Sequence, residues 1–216
     1  MRENPPGHPI DRPQHNGPGA SDVENINAIH AYWFGELNAA GLADDNRQAL
    51  WFGASPETDA ECRERFGSAL AHARGGRLAH WADTDRGLVA LVVLLDQFSR
   101  NIDRGRPEAF AADAQALTLA QTAIGSGRDR RLPAIHRVFL YLPLEHSENL
   151  QIQRECLRLF SVLAAEEPGT AGFLRYAQCH HDVIERFGRF PHRNAILGRA
   201  STDEELRFLE EPGSSF

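Results

Sequence analysis

Four short stretches of the chain carry residue types able to bind or transform a ligand. The densest is ERFGRFPHRNAILGR, Glu185 to Arg199, which holds Arg186, Arg189, Arg193 and Arg199 within fifteen residues, with His192 and Asn194 among apolar side chains and two glycines. A guanidinium is planar and permanently charged, and its fork of donors matches a carboxylate or a phosphate in two-point contacts. Such a cluster clamps an anionic ligand, ties neighbouring helices down through acids and free C-terminal carbonyls, or simply lies in solvent.

The second stretch lies in GLVALVVLLDQF, Gly87 to Phe98, which is apolar on nearly every side and predicts an enclosed central helix. Asp96 follows eight consecutive apolar residues there, where a carboxylate is costly unless paired. Arg100 stands at i+4 and can reach it, with Gln97 and Asn101 on other sides. Either the two form a buried structural ion pair, or Asp96 orients Arg100 toward a ligand.

The third stretch, YLPLEHSEN from Tyr141 to Asn149, gathers Glu145, His146, Ser147 and Glu148. Pro143 is expected to interrupt the helix, so that these residues open the next one, with Ser147 as its cap and the acids in its first turn. That accounts for Ser147 and Glu148 and leaves His146 over. In the fourth stretch Phe173, Ala177, His180, Ile184 and Phe187 recur at helical spacing, which puts His180 on a core-facing stripe, where an imidazole commonly serves as a satisfied core residue. His181 and Glu185 stand at i, i+4, a metal-ligand spacing that is common by chance, and no metal ligands are assigned.

These stretches give two sets of candidates. His146, Glu148, His180 and Asp96 are the catalytic candidates, with the imidazoles moving protons and Asp96 holding Arg100. Arg100, Asn101, Arg189, His192, Arg193 and Asn194 are the ligand-binding candidates, with Arg189 and Arg193 as the anion clamp.

The elements that must position them are helices. SDVE at Ser21 reads as a capping box ahead of Val23, Ile26, His30, Trp33 and Phe34; TDAE at Thr58 opens a helix ending at Gly75-Gly76; and another helix begins around Arg86. Pro107 suits the first turn of PEAFAADAQALTLAQTAI, Pro133 starts a short helix to Tyr141, Thr170 caps a long one ending at Gly188, and STDE at Ser201 repeats the capping-box pattern. About nine helices with short connections and no strand signal predict an all-α fold of antiparallel helix pairs in a single domain from residue 21 to 216. Two WFG tripeptides, at Trp33 and Trp51, are too few to define a repeat. Residues 1–20, rich in Pro, Gly, His and Asn, are expected to form a disordered tail.

Composition narrows the chemistry. The net charge of −7 argues against nucleic acid, and all 23 basic residues are arginine, so Schiff-base, pyridoxal and P-loop lysine chemistry have no residue to use. Cys62, Cys156 and Cys179 are odd in number and widely spaced, which fits a reducing cytoplasm and neither a disulfide framework nor a thiolate zinc site. No segment is apolar enough to predict a signal peptide or a membrane span.

LLDQFSRNI, YLPLEHSEN and FGRFPHRNAILGR, in this order, strongly resemble the bacterial proteins of domain of unknown function 924 (DUF924), and the likeness runs from about Val23 to Phe216. Asp96, Gln97, Arg100, Asn101, His146, Ser147, Glu148, His180, Arg189, Pro191, His192, Arg193, Asn194 and Arg199 fall on its motif positions, while His181 stands where the family does not require histidine. The resemblance implies a tetratricopeptide-like all-α superhelix and brings no activity. Three functions follow as expectations: a polar pocket binding a small anionic metabolite and transforming it by acid–base chemistry; a non-enzymatic scaffold for a protein partner; and a metal-dependent hydrolase or oxygenase using His146, His180 and an acid.

Overall fold

The computed structural model of the protein describes residues 18–214, and the tail expected at the N-terminus lies almost wholly outside them. The elements run α1 (Ala20–Trp33), α2 (Arg47–Phe52), α3 (Pro56–Arg74), α4 (Asp85–Val93), a π-helical turn (Leu94–Phe98), α5 (Ser99–Ile102), α6 (Asp113–Gly125), α7 (Ala134–Glu145), α8 (Leu150–Glu166), α9 (Ala171–Phe187) and α10 (Asp203–Leu209), joined by short loops and 3₁₀ turns. The fold is all-α, as expected.

Several boundaries fall beside the positions expected from sequence, for local reasons. Ser55 rather than Thr58 caps α3, accepting the Thr58 N–H with Pro56 in the first turn. At α10 the capping box is Thr202 with Glu205, one residue beyond the expected start. At α1 the Asp22 carboxylate accepts the Gly19 N–H, so Ser21 already lies inside the helix. Pro107 opens a separate 3₁₀ turn, Pro107–Phe110, and not the first turn of α6. Thr170 stands at the N-cap position of α9 as expected, but its hydroxyl donates to the Glu167 carbonyl and makes no side-chain cap bond, and Gly188 ends that helix in the left-handed conformation, φ 68°, that glycine adopts at little cost.

Two departures shape the interior. Helix α7 runs through Pro143 to Glu145, so Glu145 closes one helix and does not open the next; His146 is its C-cap, and Asn149, not Ser147, caps α8. Every residue of α7 is buried, so its packing outweighs the hydrogen bond that Pro143 cannot donate. The central helix, in turn, widens at Leu94–Phe98, where the Ser99 N–H returns to the Leu94 carbonyl. A wide turn of this kind reduces the angular step between successive residues and is frequent at functional sites.

The core is aromatic at its centre. Trp33 packs edge-on against Phe98 (5.1 Å between ring centroids) and Phe139 (5.8 Å), and Phe66 stacks on Phe98 at 4.6 Å. Both WFG tripeptides meet there: the Trp51 indole donates to the Trp33 carbonyl at 2.8 Å and its ring lies 4.9 Å from Phe139. A smaller cluster of Val183, Ile184 and Phe190, with Phe187 and Phe208 packed on it, docks the C-terminal segment against α9. Thus α4 and α5, the end of α7, the middle of α9 and the loop after Gly188 are brought together.

Candidate functional site

A cavity of about 580 Å³ opens where these segments meet. Its polar lining includes Gln97 and Arg100 from the central helix, Glu145 and His146 from the end of α7, His180 from α9, and His192 and Arg193 from the arginine loop. Its apolar walls include Trp51, Phe52, Phe110, Leu142, Phe173 and Tyr176.

At its inner edge stands Asp96, 0% exposed. Its Oδ1 faces His146 Nδ1 at 2.7 Å and its Oδ2 accepts from Gln97 Nε2 at 2.6 Å. Arg100 Nη1 lies 3.3 Å from Oδ1 and donates to the Asp96 backbone carbonyl at 2.7 Å. Burial opposes ionisation, but the Arg100 charge, with the hydrogen bonds from His146 and Gln97, outweighs it and holds the Asp96 carboxyl well below the usual carboxylate range. Burial and the Arg100 charge push His146 down, against the pull of Asp96, so the imidazole is neutral at pH 7 with Nδ1–H directed at Asp96.

Glu145 is 3% exposed, and among the described residues its Oε2 has no hydrogen-bond partner. Burial and the nearby Asp96 charge raise its carboxyl to about 8. Its Oε1 lies 3.3 Å from His180 Nδ1, which also lies 2.9 Å from the Tyr176 carbonyl oxygen. Burial and the neighbouring His146 lower His180 to about 3, and burial with Arg193 lowers His192 to about 4. Ligand atoms of Glu145, His146 and His180 all lie within 4.8 Å of one another; His181, Asp182 and Glu185 form a second such group, mostly exposed.

Two guanidiniums border the polar end. Arg100 takes both oxygens of Asp113, at 2.9 and 3.1 Å. Arg193, 6% exposed, is left the longer approach to Asp113, 3.6 Å, and donates to the His146 carbonyl at 3.1 Å. Its Nε is buried with no hydrogen-bond partner among the described residues, and its guanidinium lies between the Phe110 and Phe190 rings, 4.8 and 4.4 Å from their centroids. Burial and the Arg100 charge lower Arg193 to about 10. It remains a cation at pH 7, held in a place that favours the arrival of a negative charge.

A family model described as bacterial protein of unknown function (DUF924) matches residues 29–213. The chain belongs to the DUF924 family. The solved structure of a protein of unknown function from Agrobacterium tumefaciens has the same fold, with a TM-score of 0.75 at 34% identity, covering 87% of this chain and 98% of that one. Among curated proteins none matches.

In this DUF924 protein the predicted site residues divide into two groups. Asp96, Arg100, Asn101, His146, His180, His192 and Arg193 gather at the cavity or directly behind its wall. Asn101 lines it while donating to Asp59 at 3.0 Å. Glu148, Arg189 and Asn194 are not among the residues lining it. Glu148 binds Arg199 in a two-point contact (2.6 and 2.9 Å) and accepts the Phe190 N–H at 2.8 Å. Arg189 binds Glu205 through both oxygens, at 2.6 and 2.8 Å, and Asn194 donates to Ser201 at 3.0 Å. Arg186 pairs with Glu204. Three of the four clustered arginines therefore fasten the C-terminal segment to the helices, and Arg193 turns to the cavity.

Sequence reasoning gave no role to Glu145, Asp113 or the aromatic wall. Glu145 carried a signal in its adjacency to His146, and the paired WFG tripeptides marked Trp51 and Phe52. Asp113 had none, because its partner Arg100 is thirteen residues away on another element.

Proposed function

We propose that the cavity binds a small organic anion with an apolar body, the charged end meeting Arg193 and the body lying against Trp51, Phe52, Phe173 and Tyr176. The observation that supports this most is the state of Arg193: a buried guanidinium with an unpartnered Nε, whose nearest carboxylate, Asp113, is already taken at both oxygens by Arg100. A carboxylate or phosphate ester on the ligand supplies the missing acceptor, and desolvation inside the cavity strengthens that pairing. The Phe110 and Phe190 rings fix the guanidinium plane, so little side-chain freedom is lost on binding.

Chemistry on the bound anion falls to the acid–base groups. Asp96 fixes the His146 tautomer, leaving Nε2 as the acceptor able to take a proton from a ligand. His180 is held in the same way through its Nδ1 by the Tyr176 carbonyl. On this reading Glu148, Arg189 and Asn194 are positioning residues that anchor the loop carrying His192 and Arg193.

Thermal-shift and calorimetric titration with aromatic and aliphatic monocarboxylates, phosphate monoesters and the matched uncharged amides tests the reading. Carboxylates or phosphate esters are expected to stabilise the wild type, the amides to bind at least ~10-fold more weakly, and Arg193→Ala to lose the response. No stabilisation by any anion, or an equal response from Arg193→Ala, overturns it.

A further inference from the structure

The groups beneath the anion-binding end form a second constellation. His146 has Nδ1 directed at Asp96 Oδ1 at 2.7 Å, and His180 has Nδ1 2.9 Å from the Tyr176 carbonyl oxygen and 3.3 Å from Glu145 Oε1. In a neutral imidazole whose Nδ1–H donates to an oxygen, Nε2 carries the lone pair; this pairing of histidine with a carboxylate or carbonyl fixes ring orientation and basicity in metal sites. Beside them Glu145, 3% exposed, lines the cavity, and among the described residues its Oε2 has no hydrogen-bond partner. An unsatisfied carboxyl oxygen at that depth is costly to the fold.

We propose that Glu145, His146 and His180, whose ligand atoms lie within 4.8 Å of one another, form a site for a divalent transition-metal ion with its exchangeable positions toward the cavity. Two imidazole nitrogens and one carboxylate are a donor set for ions of zinc, cobalt and ferrous type, and three protein ligands leave room for water or a ligand. Asp96 and the Tyr176 carbonyl are its orienting partners. With an ion bound, the imidazoles serve as ligands, and the acid–base capacity of the site passes to water on the ion. The inference stands apart from anion binding, since it is read without any organic ligand.

Untagged protein is stripped with chelator, dialysed, and titrated with Zn²⁺ by calorimetry and with Co²⁺ by visible absorption. Binding of one equivalent is expected, with d–d bands from the cobalt-loaded protein and a rise in its unfolding temperature. Glu145→Gln keeps the side-chain shape and removes the ligand charge without leaving a buried ion, so it is expected to fold and to weaken Zn²⁺ by more than ~10-fold; Asp96→Asn weakens it by about 10–100-fold. His181→Gln, in the neighbouring and mostly exposed group, leaves Zn²⁺ affinity unchanged, and the metal titrations contain no organic anion, which separates this outcome from a failure of anion binding. Binding of less than half an equivalent by the wild type overturns the site, as does undiminished Zn²⁺ affinity in Glu145→Gln or a loss confined to His181→Gln.

Discussion

Replacing Asp96 by Asn tests whether one buried carboxylate organises the polar end of the cavity. The carboxylate is fully enclosed and takes His146, Gln97 and Arg100. Asn preserves the shape and removes the charge. Its single oxygen is best spent at the Oδ1 position, where two donors converge, so its NH₂ faces Gln97 and the Gln97 amide must turn to offer an oxygen. Breaking a buried charge pair from one side costs about 3–5 kcal/mol. Arg100 keeps both oxygens of Asp113, so the lower end, about 3 kcal/mol, applies here. With a urea slope of roughly 2 kcal/mol per molar, the midpoint falls by about 1.5 M with the slope unchanged. Equilibrium urea unfolding followed by tryptophan fluorescence measures it directly. A loss below about 0.5 kcal/mol, the scale of an ordinary surface change, refutes the claim that Asp96 holds the site together.

Other expectations follow from the same geometry. Burial holds His30 at about 4 and His136 at about 3, with the His30 charge adding to the effect on His136. Both are neutral in the folded protein, and the unfolded chain binds more protons between pH ~6.5 and these values, so stability falls as pH drops through that window. His136→Phe, which removes one of these protons from a site already packed against Phe34, should make the decline between pH 6 and 4 shallower by up to about 1.4 kcal/mol per pH unit; an unchanged slope in pH-dependent urea titrations contradicts this. Arg199→Ala removes the two-point contact to Glu148 and the bond to the Phe190 carbonyl. It should cost about 2 kcal/mol and expose the chain beyond Phe187 to limited proteolysis while leaving the central core resistant. Cys62 and Cys156 are buried and their thiols raised by burial, whereas Cys179 is exposed and lines the cavity. A thiol reagent should modify one cysteine in the native protein and three in urea, and a bound organic anion should slow the native reaction.

Helices with strong periodicity and clear stops were legible in the sequence, as the enclosed run to Phe98 and the Gly188 stop show. Their starts were displaced by a residue or more wherever two capping residues compete, as Ser55 does with Thr58 and Thr202 with Ser201. Pro143 misled because local propensity was outweighed by a helix buried on all sides, and this moved Glu145 from the opening of one helix to the end of another. The π-helical turn had no local signature at all. In the candidate site, residue type identified Asp96, His146, His180 and Arg193, but it could not sort the arginines. Arg186, Arg189 and Arg199 differ from Arg193 only in the acids that tertiary folding sets against them.

The central claim is that Arg193 receives the charged end of a ligand inside an apolar cavity. A crystal structure of the protein soaked with an aromatic monocarboxylate tests it most directly. Carboxylate density is expected within hydrogen-bonding distance of the Arg193 guanidinium, with the ring against Trp51 and Phe173. An empty cavity at saturating ligand, or density bound only elsewhere on the protein, contradicts it.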